Sequence, residues 1–264
     1  MDLQLKGKTA LVTGSTAGIG LAIARSLAGE GARVIVNGRT QERVDAAIAE
    51  IKDELNDADV TGVAGDLSTA EGVKSVTIFA DSVDILVNNV GIFEIKDFVD
   101  ITDEDWLRMF EANVLSGVRL GRHYLPKMLA NNWGRVIFIS SESGLNIPVE
   151  MVHYGMTKTA QIAVARGMAE LTKGTNVTVN SVLPGPTASE GVNGFLGQVA
   201  EQQGVSVEQA EADFFKNVRP TSLIQRFAQP KEIGDFVAFI ASPLAAGVNG
   251  AALKVDGGTV KSIN

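Results

Sequence analysis

Short runs of β-branched and other apolar residues alternate with longer amphipathic segments along most of the chain. From these runs we predict seven strands, at 8–14, 32–38, 58–66, 83–89, 134–141, 175–185 and 251–258. Apolar runs of this length, bounded by glycine, asparagine or aspartate, are typical of strands covered on both faces. The amphipathic segments carry apolar residues three or four positions apart and predict helices at 19–31, 40–55, 103–132 and 151–174.

This alternation predicts a doubly wound α/β fold, with a seven-stranded parallel sheet and helices on both faces. The pattern continues from Lys8 to Gly258 without a linker rich in proline or serine, so we expect residues 1–264 to form a single domain. The segment 187–230 differs, because glycine, glutamine and glutamate interrupt its apolar rhythm. We expect it to form a loop with one or two amphipathic helices over the carboxyl edge of the sheet.

Composition and charge exclude several classes of function. The 264 residues include no cysteine, which excludes disulfides, thiolate catalysis and thiolate metal sites. The two histidines have no third ligand at a useful spacing, so we predict no metal site. A net charge of −8 argues against nucleic-acid binding. The N-terminus shows no signal peptide, and the apolar stretch 236–248 is too short to span a membrane, so we expect a soluble cytoplasmic protein.

A glycine-rich turn directly follows the first predicted strand. It reads Gly14-Ser15-Thr16-Ala17-Gly18-Ile19-Gly20, and a predicted helix begins within it. Glycines at these positions allow a tight turn, a close approach of backbone to a pyrophosphate, and close packing of helix on strand. The free N–H groups at the start of the helix would hold the anion. The alternative interpretation is an ordinary connection between a strand and a helix.

A tyrosine and a lysine are placed to carry proton transfer. Tyr154 and Lys158 lie four residues apart on a predicted helix, and therefore on one face of it. Since a phenol has a pKa of about 10, we expect the nearby ammonium to lower the pKa of Tyr154 toward neutrality. Ser141 ends the fifth predicted strand, where its hydroxyl would bind a substrate carbonyl. Considered alone, the pair is more simply a packed aromatic ring and a surface charge.

Taken together, these motifs resemble the short-chain dehydrogenase/reductase family in its single-domain form, in particular its 3-oxoacyl reductases. The resemblance spans the whole chain and rests on motifs that occur in the family order: the glycine turn, Asn88-Asn89-Val90-Gly91, Asn113, Ser140-Ser141, Tyr154-Gly155-Met156-Thr157-Lys158 and Pro184-Gly185. It implies a Rossmann fold in which Tyr154 donates a proton. It also implies that Lys158 binds the nicotinamide ribose and that Asn113 holds a helix bulge and a water of the proton relay.

The resemblance also implies the residues that hold a nicotinamide dinucleotide. Besides the turn from Gly14 to Gly20, Tyr154 and Lys158, these are Asn37, Arg39, Asp66, Leu67, Asn89, Gly91, Pro184, Gly185 and Thr187. Enzymes that use NAD place an acidic residue at the end of the second strand, where this chain has Gly38 followed by Arg39. A guanidinium can bind a 2′-phosphate, so we predict a preference for NADP(H), with NAD as the possible alternative.

We therefore predict an NADP(H)-dependent oxidoreductase that reduces a carbonyl, of the ketone or 3-oxoacyl type, to a secondary alcohol. The alternatives are an NAD-dependent secondary-alcohol dehydrogenase and a catalytically silent dinucleotide-binding regulator. The predicted substrate lid at 187–230 mixes Phe195, Leu196, Phe214 and Phe215 with polar residues, which selects no substrate among acyl thioesters, steroids, sugars and small ketones. By resemblance, we expect a homotetramer or homodimer.

Overall fold

The structure is a computed structural model that describes residues 1–263, without the side-chain surroundings of residues 190, 191, 193, 195, 198 and 203. The prediction for Phe195 lies outside this part. Seven parallel strands form one sheet in the order β3-β2-β1-β4-β5-β6-β7. The strands are β1 Thr9–Val12, β2 Arg33–Gly38, β3 Val60–Ala64, β4 Ile85–Asn88, β5 Gly134–Ile139, β6 Val177–Pro184 and β7 Ala252–Val255. The predicted doubly wound fold is confirmed.

Nine α-helices connect or cover these strands within the described residues. They are α1 Gly18–Gly29, α2 Gln41–Glu54, α3 Ala70–Phe79, α4 Asp103–Phe110, α5 Ser116–Ala130, α6 Val152–Glu170, α7 Glu190–Gln203, α8 Val207–Asn217 and α9 Pro230–Ala241. Two of them, α3 and α9, are absent from the sequence prediction. Within residues 1–263, each helix is too short or too polar to cross a bilayer.

The core lies in two layers, because successive strand residues point to opposite faces of the sheet. Val12 of β1 and Val87 of β4 face α1, α2 and α9, whereas Leu11 and Leu86 face α3, α5 and α6. The helix α9 is held close to α1 at Gly234, where an added Cβ would lie 2.7 Å from the carbonyl oxygen of Ala22. The apolar stretch that was too short for a membrane span is thus largely a core helix.

The helix predicted at 103–132 is present from Asp103 to Ala130, with one irregular turn. A π-helical turn, Glu111–Leu115, joins α4 to α5. The spacing of the apolar residues does not show this turn, because it only widens the hydrogen-bond ring and leaves the chain helical. The turn has a physical cause in the buried Asn113, whose carbonyl oxygen accepts a hydrogen bond from the side chain of Gln161 at 2.6 Å.

The segment 187–230 forms two helices, α7 and α8, over the carboxyl edge of the sheet, as expected. Rings of Phe214, Phe215 and Phe227 stack with centroids 5.0–5.2 Å apart and form a separate apolar cluster. The two ends of the segment are joined at its base, where Thr187 and Ala228 form a parallel bridge. The amide of Ala188 donates to the carbonyl of Ala228 at 2.9 Å.

Candidate active site

A cleft of about 730 Å³ opens at the carboxyl ends of β1, β2, β3 and β4. The strand order reverses between β1 and β4, and open α/β sheets bind ligands at such a point. Its lining includes nine of the predicted cofactor residues: Gly14, Thr16, Ala17, Asn37, Arg39, Asp66, Leu67, Asn89 and Gly91. The fold therefore brings together predicted cofactor residues that are up to 77 positions apart in the chain.

The glycine turn is shaped to accept an anion. Gly14 has φ +59°, and an added Cβ at Gly20 would lie 2.5 Å from the Asn89 amide nitrogen, so larger residues would displace the turn. The helix α1 that follows has no side-chain cap at Ala17 and no acidic residue in its first turn, as far as the described residues show. By contrast, threonine side chains cap α2, α3 and α4. The free N–H groups of α1 fit the pyrophosphate of a dinucleotide.

Three of the predicted cofactor residues use their side chains to hold the turn in place. The Asn37 side-chain oxygen accepts from the Gly14 amide at 3.3 Å, and its nitrogen donates to the carbonyls of Val63 and Gly65, both at 3.2 Å. The Asn89 amide donates to the carbonyls of Thr13 and Gly14, both at 3.0 Å. The Ser15 hydroxyl is likewise buried and donates to the carbonyl of Val12 at 2.7 Å. These side chains brace the turn, so any contact with a cofactor near them is made by backbone atoms and by exposed side-chain atoms.

Two arginines lie at the end of the cleft beside β2. Arg39 and Arg43 both line it, both are exposed, and neither forms an ion pair within the described part of the chain. Arg43 stands in the first turn of α2, and sequence reasoning missed it. Its position four residues after Arg39 was the available signal. At Gly38 an added Cβ would overlap Thr16 Cγ2, so an acidic residue there would also displace Thr16.

The predicted catalytic residues meet just beyond the cleft. The Lys158 ammonium donates to the carbonyl of Ile139 at 3.0 Å and lies 5.5 Å from the centroid of the Tyr154 ring. An added Cβ at Gly91 would lie 3.3 Å from the same nitrogen, so Lys158 connects this cluster to the cleft. Ser141 follows β5, and its hydroxyl accepts from the amide of Ser143 at 3.1 Å.

Asn113 supports this cluster from the π-helical turn. Its amide nitrogen donates to the carbonyl of Ile92 and to the hydroxyl of Thr157, both at 2.9 Å. Its side-chain oxygen accepts from the Ile92 amide at 2.7 Å. Asn113 thus fixes the chain after Gly91 against α6, which carries Tyr154 and Lys158. The helix bulge implied by the resemblance is present as this turn, and the water of the proton relay stays a prediction.

The predicted lowering of the Tyr154 pKa is wrong for the protein itself. Although part of the side chain reaches solvent, burial of its surroundings raises the pKa of Tyr154 to about 12, against the lowering effect of a hydrogen bond with Ser141. Burial also lowers the pKa of Lys158 to about 7, so its charge is only partly present at neutral pH. Desolvation, which sequence spacing cannot show, is the largest cause of both shifts.

The remaining predicted residues lie at the carboxyl end of β6. Pro184 ends that strand, and the Thr187 hydroxyl donates to the carbonyl of Gly185 at 2.9 Å. The segment 187–230 begins against the glycine turn, since an added Cβ at Gly18 would lie 3.5 Å from Ser189 Cβ. Among the described residues, no three histidine, aspartate or glutamate side chains are grouped to hold a metal ion.

His153 lies directly before Tyr154 in the chain. Its ring is buried and packs edge to face against Trp106 of α4, with centroids 6.0 Å apart. Within residues 1–263 neither ring nitrogen has a hydrogen-bond partner, and burial lowers the pKa of His153. A neutral ring in the interface between α4 and α6 is consistent with a packing role.

Sequence reasoning also missed a buried charge pair beside Ser141. Glu142 accepts from the Nε of Arg219 at 3.0 Å, and the Arg219 side chain is 11% exposed. Burial raises the pKa of Glu142, whereas the charge of Arg219 acts in the opposite direction. Both charges reach the phenol: Glu142 raises the pKa of Tyr154 and Arg219 lowers it. The signal available in the sequence was the charged residue directly after Ser141.

Comparisons with known proteins agree with this geometry. Residues 8–197 match the family model described as short chain dehydrogenase. The chain is 52% identical over 263 residues to the "Uncharacterized oxidoreductase YvaG" of Bacillus subtilis (strain 168), covering 100% of both chains. It is 33% identical to the 3-oxoacyl-[acyl-carrier-protein] reductase FabG of Aquifex aeolicus (strain VF5), covering 98% of this chain and 99% of that one.

Among solved structures, the L-sorbose reductase from Gluconobacter frateurii, complexed with NADPH and L-sorbose, superposes with a TM-score of 0.92. It is 31% identical, and each chain is covered completely. Fold and site together define an oxidoreductase that uses a nicotinamide dinucleotide and acts on small molecules. The chain belongs to the short-chain dehydrogenase/reductase family, which confirms the resemblance stated above.

Proposed function

We propose that this protein is an NADPH-dependent reductase that converts a ketone into a secondary alcohol. The observation that carries the proposal is the convergence of Ser141, Tyr154 and Lys158 beside Gly91, where the cleft that begins at the glycine turn ends. The similarity to a reductase solved with NADPH and a ketose supports both the cofactor and the direction.

The residues present fit the cofactor. The uncapped start of α1 and the glycine turn would hold the pyrophosphate, Asp66 and Leu67 would flank the adenine, and Lys158 would bind the ribose near Gly91. The nicotinamide, when bound, supplies the hydride for the carbonyl carbon and, in its oxidised form, a positive charge.

The protein supplies the proton. The Ser141 hydroxyl acts on the Tyr154 phenol and lowers its pKa, so we infer that one carbonyl oxygen can lie within reach of both hydroxyls. With a pKa of about 12, the Tyr154 phenol keeps its proton throughout the neutral range and can donate it as the alkoxide forms. The transfer leaves a phenolate, which the charged form of Lys158 stabilises.

The preference for NADPH over NADH rests on Arg39 and Arg43. Both guanidiniums line the cleft beside Gly38. At the position of Gly38, NAD-dependent enzymes carry a carboxylate, which would repel a phosphate. Because neither is in an ion pair with a described residue, both are available to a 2′-phosphate. We include Arg43 because the cleft places a second cation next to the one predicted from the sequence.

Replacement of Tyr154 tests the proton transfer. In Tyr154→Phe we expect kcat for ketone reduction, followed by the nicotinamide absorbance, to fall by roughly 10²–10⁴-fold. NADPH binding, followed by its fluorescence, should stay within about threefold, since the ring remains. Tyr124→Phe is the matched control: it removes the hydroxyl of the second of the two tyrosines, which donates to the Ala80 carbonyl away from the cleft. Full turnover in Tyr154→Phe would refute the assignment.

A further inference from the structure

A short segment, 92–96, is fastened at both ends beside the predicted catalytic residues. Its first residue, Ile92, is bound through both its amide and its carbonyl by the side chain of Asn113. At its other end, the amide of Lys96 donates to the carbonyl of Glu150 at 3.0 Å, which joins the segment to the chain that leads into α6. The three residues between these two points are therefore held next to α6.

Phe93, inside this segment, packs against the ring of Tyr154. The two rings meet edge to face, with centroids 6.3 Å apart, which is a favourable arrangement for an aromatic pair. Phe93 is nevertheless 59% exposed, so most of its apolar surface stays open beside the tyrosine. Direct contact between the rings thus places an open aromatic surface next to the proposed proton donor.

A second exposed apolar side chain lies against the helix that carries Tyr154. An added Cβ at Gly155 would lie 2.6 Å from Ile147 Cγ2, so Ile147 packs on α6 at the residue that follows Tyr154. Ile147 itself is 41% exposed. We call Phe93 and Ile147 the apolar wall; they come from two separate connections, one after β4 and one after β5. Exposed apolar side chains gathered at one place are typical of a binding surface.

The charged side chains around the apolar wall are paired within the protein. Every charged residue of the segments 92–96 and 142–150 is in an ion pair with a described residue, and the pairs are Glu94–Arg108, Lys96–Asp105, Glu142–Arg219 and Glu150–Arg219. These charges are thus already compensated. The surface that the two segments offer to a substrate beside Tyr154 is apolar.

We propose that the apolar wall binds a bulky apolar group on one side of the reacting carbonyl, so that the preferred substrates are ketones with an aromatic or branched substituent, and that Phe93 determines this specificity. A carbonyl oxygen within reach of the Tyr154 hydroxyl brings its substituents close to the ring that Phe93 contacts. Burial of an apolar group there is favourable, and a substrate ring can pack edge to face on Phe93. This inference rests on the proposed ketone reduction.

The test compares two methyl ketones that differ by one ring, with NADPH as cofactor. Benzylacetone is methyl ethyl ketone with a phenyl group on the terminal carbon of its ethyl chain, so the two carbonyls have nearly the same reactivity. We expect kcat/KM of the wild type to be at least about tenfold higher for benzylacetone, because the added ring is removed from water in the complex. In Phe93→Ala this preference should fall by about tenfold, mainly through KM for benzylacetone.

Variants of matched chemistry separate recognition from other roles. Phe93→Leu keeps an apolar side chain and should retain part of the preference, and Ile147→Ala should lower it in the same direction as Phe93→Ala. Phe98→Ala is the matched control, since it removes a similarly exposed phenyl ring farther along the same connection, and should leave the preference unchanged. If Phe93→Ala does not fold, Ile147→Ala decides, because an unchanged preference there overturns the inference.

A second copy of the chain is the competing occupant of the apolar wall. If it covers the wall, Phe93→Ala changes the mass measured by light scattering and affects both ketones equally, which overturns the inference. A wild type that reduces methyl ethyl ketone as well as benzylacetone, or that prefers dihydroxyacetone to both, also overturns it and leaves the proposed ketone reduction standing. The absence of NADPH binding contradicts the proposed function as well.

Discussion

The burial of Lys158 should lower the free energy of unfolding of this protein. Its side chain lies in a site where burial lowers its pKa from an ordinary value of 10.5 to about 7. At about 1.4 kcal/mol per pKa unit, the charged form is disfavoured by up to about 5 kcal/mol in the folded state. We therefore expect Lys158→Met, which has a similar length and no charge, to be more stable than the wild type at low pH.

The expected gain is smaller than this upper bound. The substitution also removes the hydrogen bond to the Ile139 carbonyl, worth about 1 kcal/mol, and local relaxation reduces the cost of burying the charge. A net gain of about 3 kcal/mol at pH 6 remains. For a chain of 264 residues this corresponds to a rise in Tm of about 6 °C.

The dependence on pH has a definite sign. The folded protein releases the Lys158 proton near pH 7, whereas the unfolded chain keeps it up to about pH 10.5. The unfolded state therefore binds more protons in this interval, and the wild type gains stability as the pH rises through it. The advantage of Lys158→Met is complete below about pH 7 and shrinks steadily toward pH 10.

Thermal unfolding of both proteins at matched concentration, from pH 6 to pH 10, measures this difference. Lys52→Met, an exposed lysine of α2, is the control and should show a small shift of Tm that does not vary with pH in this way. A Lys158→Met variant that is less stable than the wild type at pH 6, or a gap in Tm that stays constant with pH, would refute the reasoning.

Three further predictions concern the cleft and the surface. Arg39→Ala and Arg43→Ala should each lower the ratio of kcat/KM for NADPH over kcat/KM for NADH by roughly tenfold or more, with matching losses in 2′,5′-ADP binding. The control is Arg33→Ala, which removes an arginine paired with Asp59 outside the cleft and should leave the ratio unchanged. Equal ratios in all variants would exclude a role of the two arginines in cofactor preference. Gly20→Ala should abolish measurable NADPH binding, because its Cβ would overlap the turn, and near-normal affinity would contradict the role given to the turn. The expected homotetramer should appear in light scattering at four times 27.8 kDa, and a dimer or monomer would correct that expectation.

The strands and the glycine turn could be predicted because their physical causes are local. A run such as Arg33–Gly38 is apolar on both faces of the sheet, and the positive φ of Gly14 favours glycine. The helix α3 was missed because it is short and carries glycine and β-branched residues, which weaken the periodic signal. Parallel pairing then brings the strand ends to one edge, so the position of the site followed from the order of the motifs.

The electrostatics of the site could not be predicted in the same way. The spacing of Tyr154 and Lys158 correctly placed them together, but the pKa of each depends on burial by distant parts of the chain. Arg43 resembled an ordinary solvated residue of an amphipathic helix until the structure showed that it lines the same cleft as Arg39. The buried pair of Glu142 and Arg219 could not be predicted, because the two residues lie 77 positions apart in the chain.

The bridge between Thr187 and Ala228 has a consequence for the evolution of this fold. Because the chain leaves the end of β6 and comes back beside the same point before α9, about 40 residues are attached at one fixed base, and closing a loop of different length there would cost little. The aromatic cluster of Phe214, Phe215 and Phe227 holds the segment together from within. We therefore expect that this segment can change in length and sequence while the strands and the positions of Ser141, Tyr154 and Lys158 stay untouched.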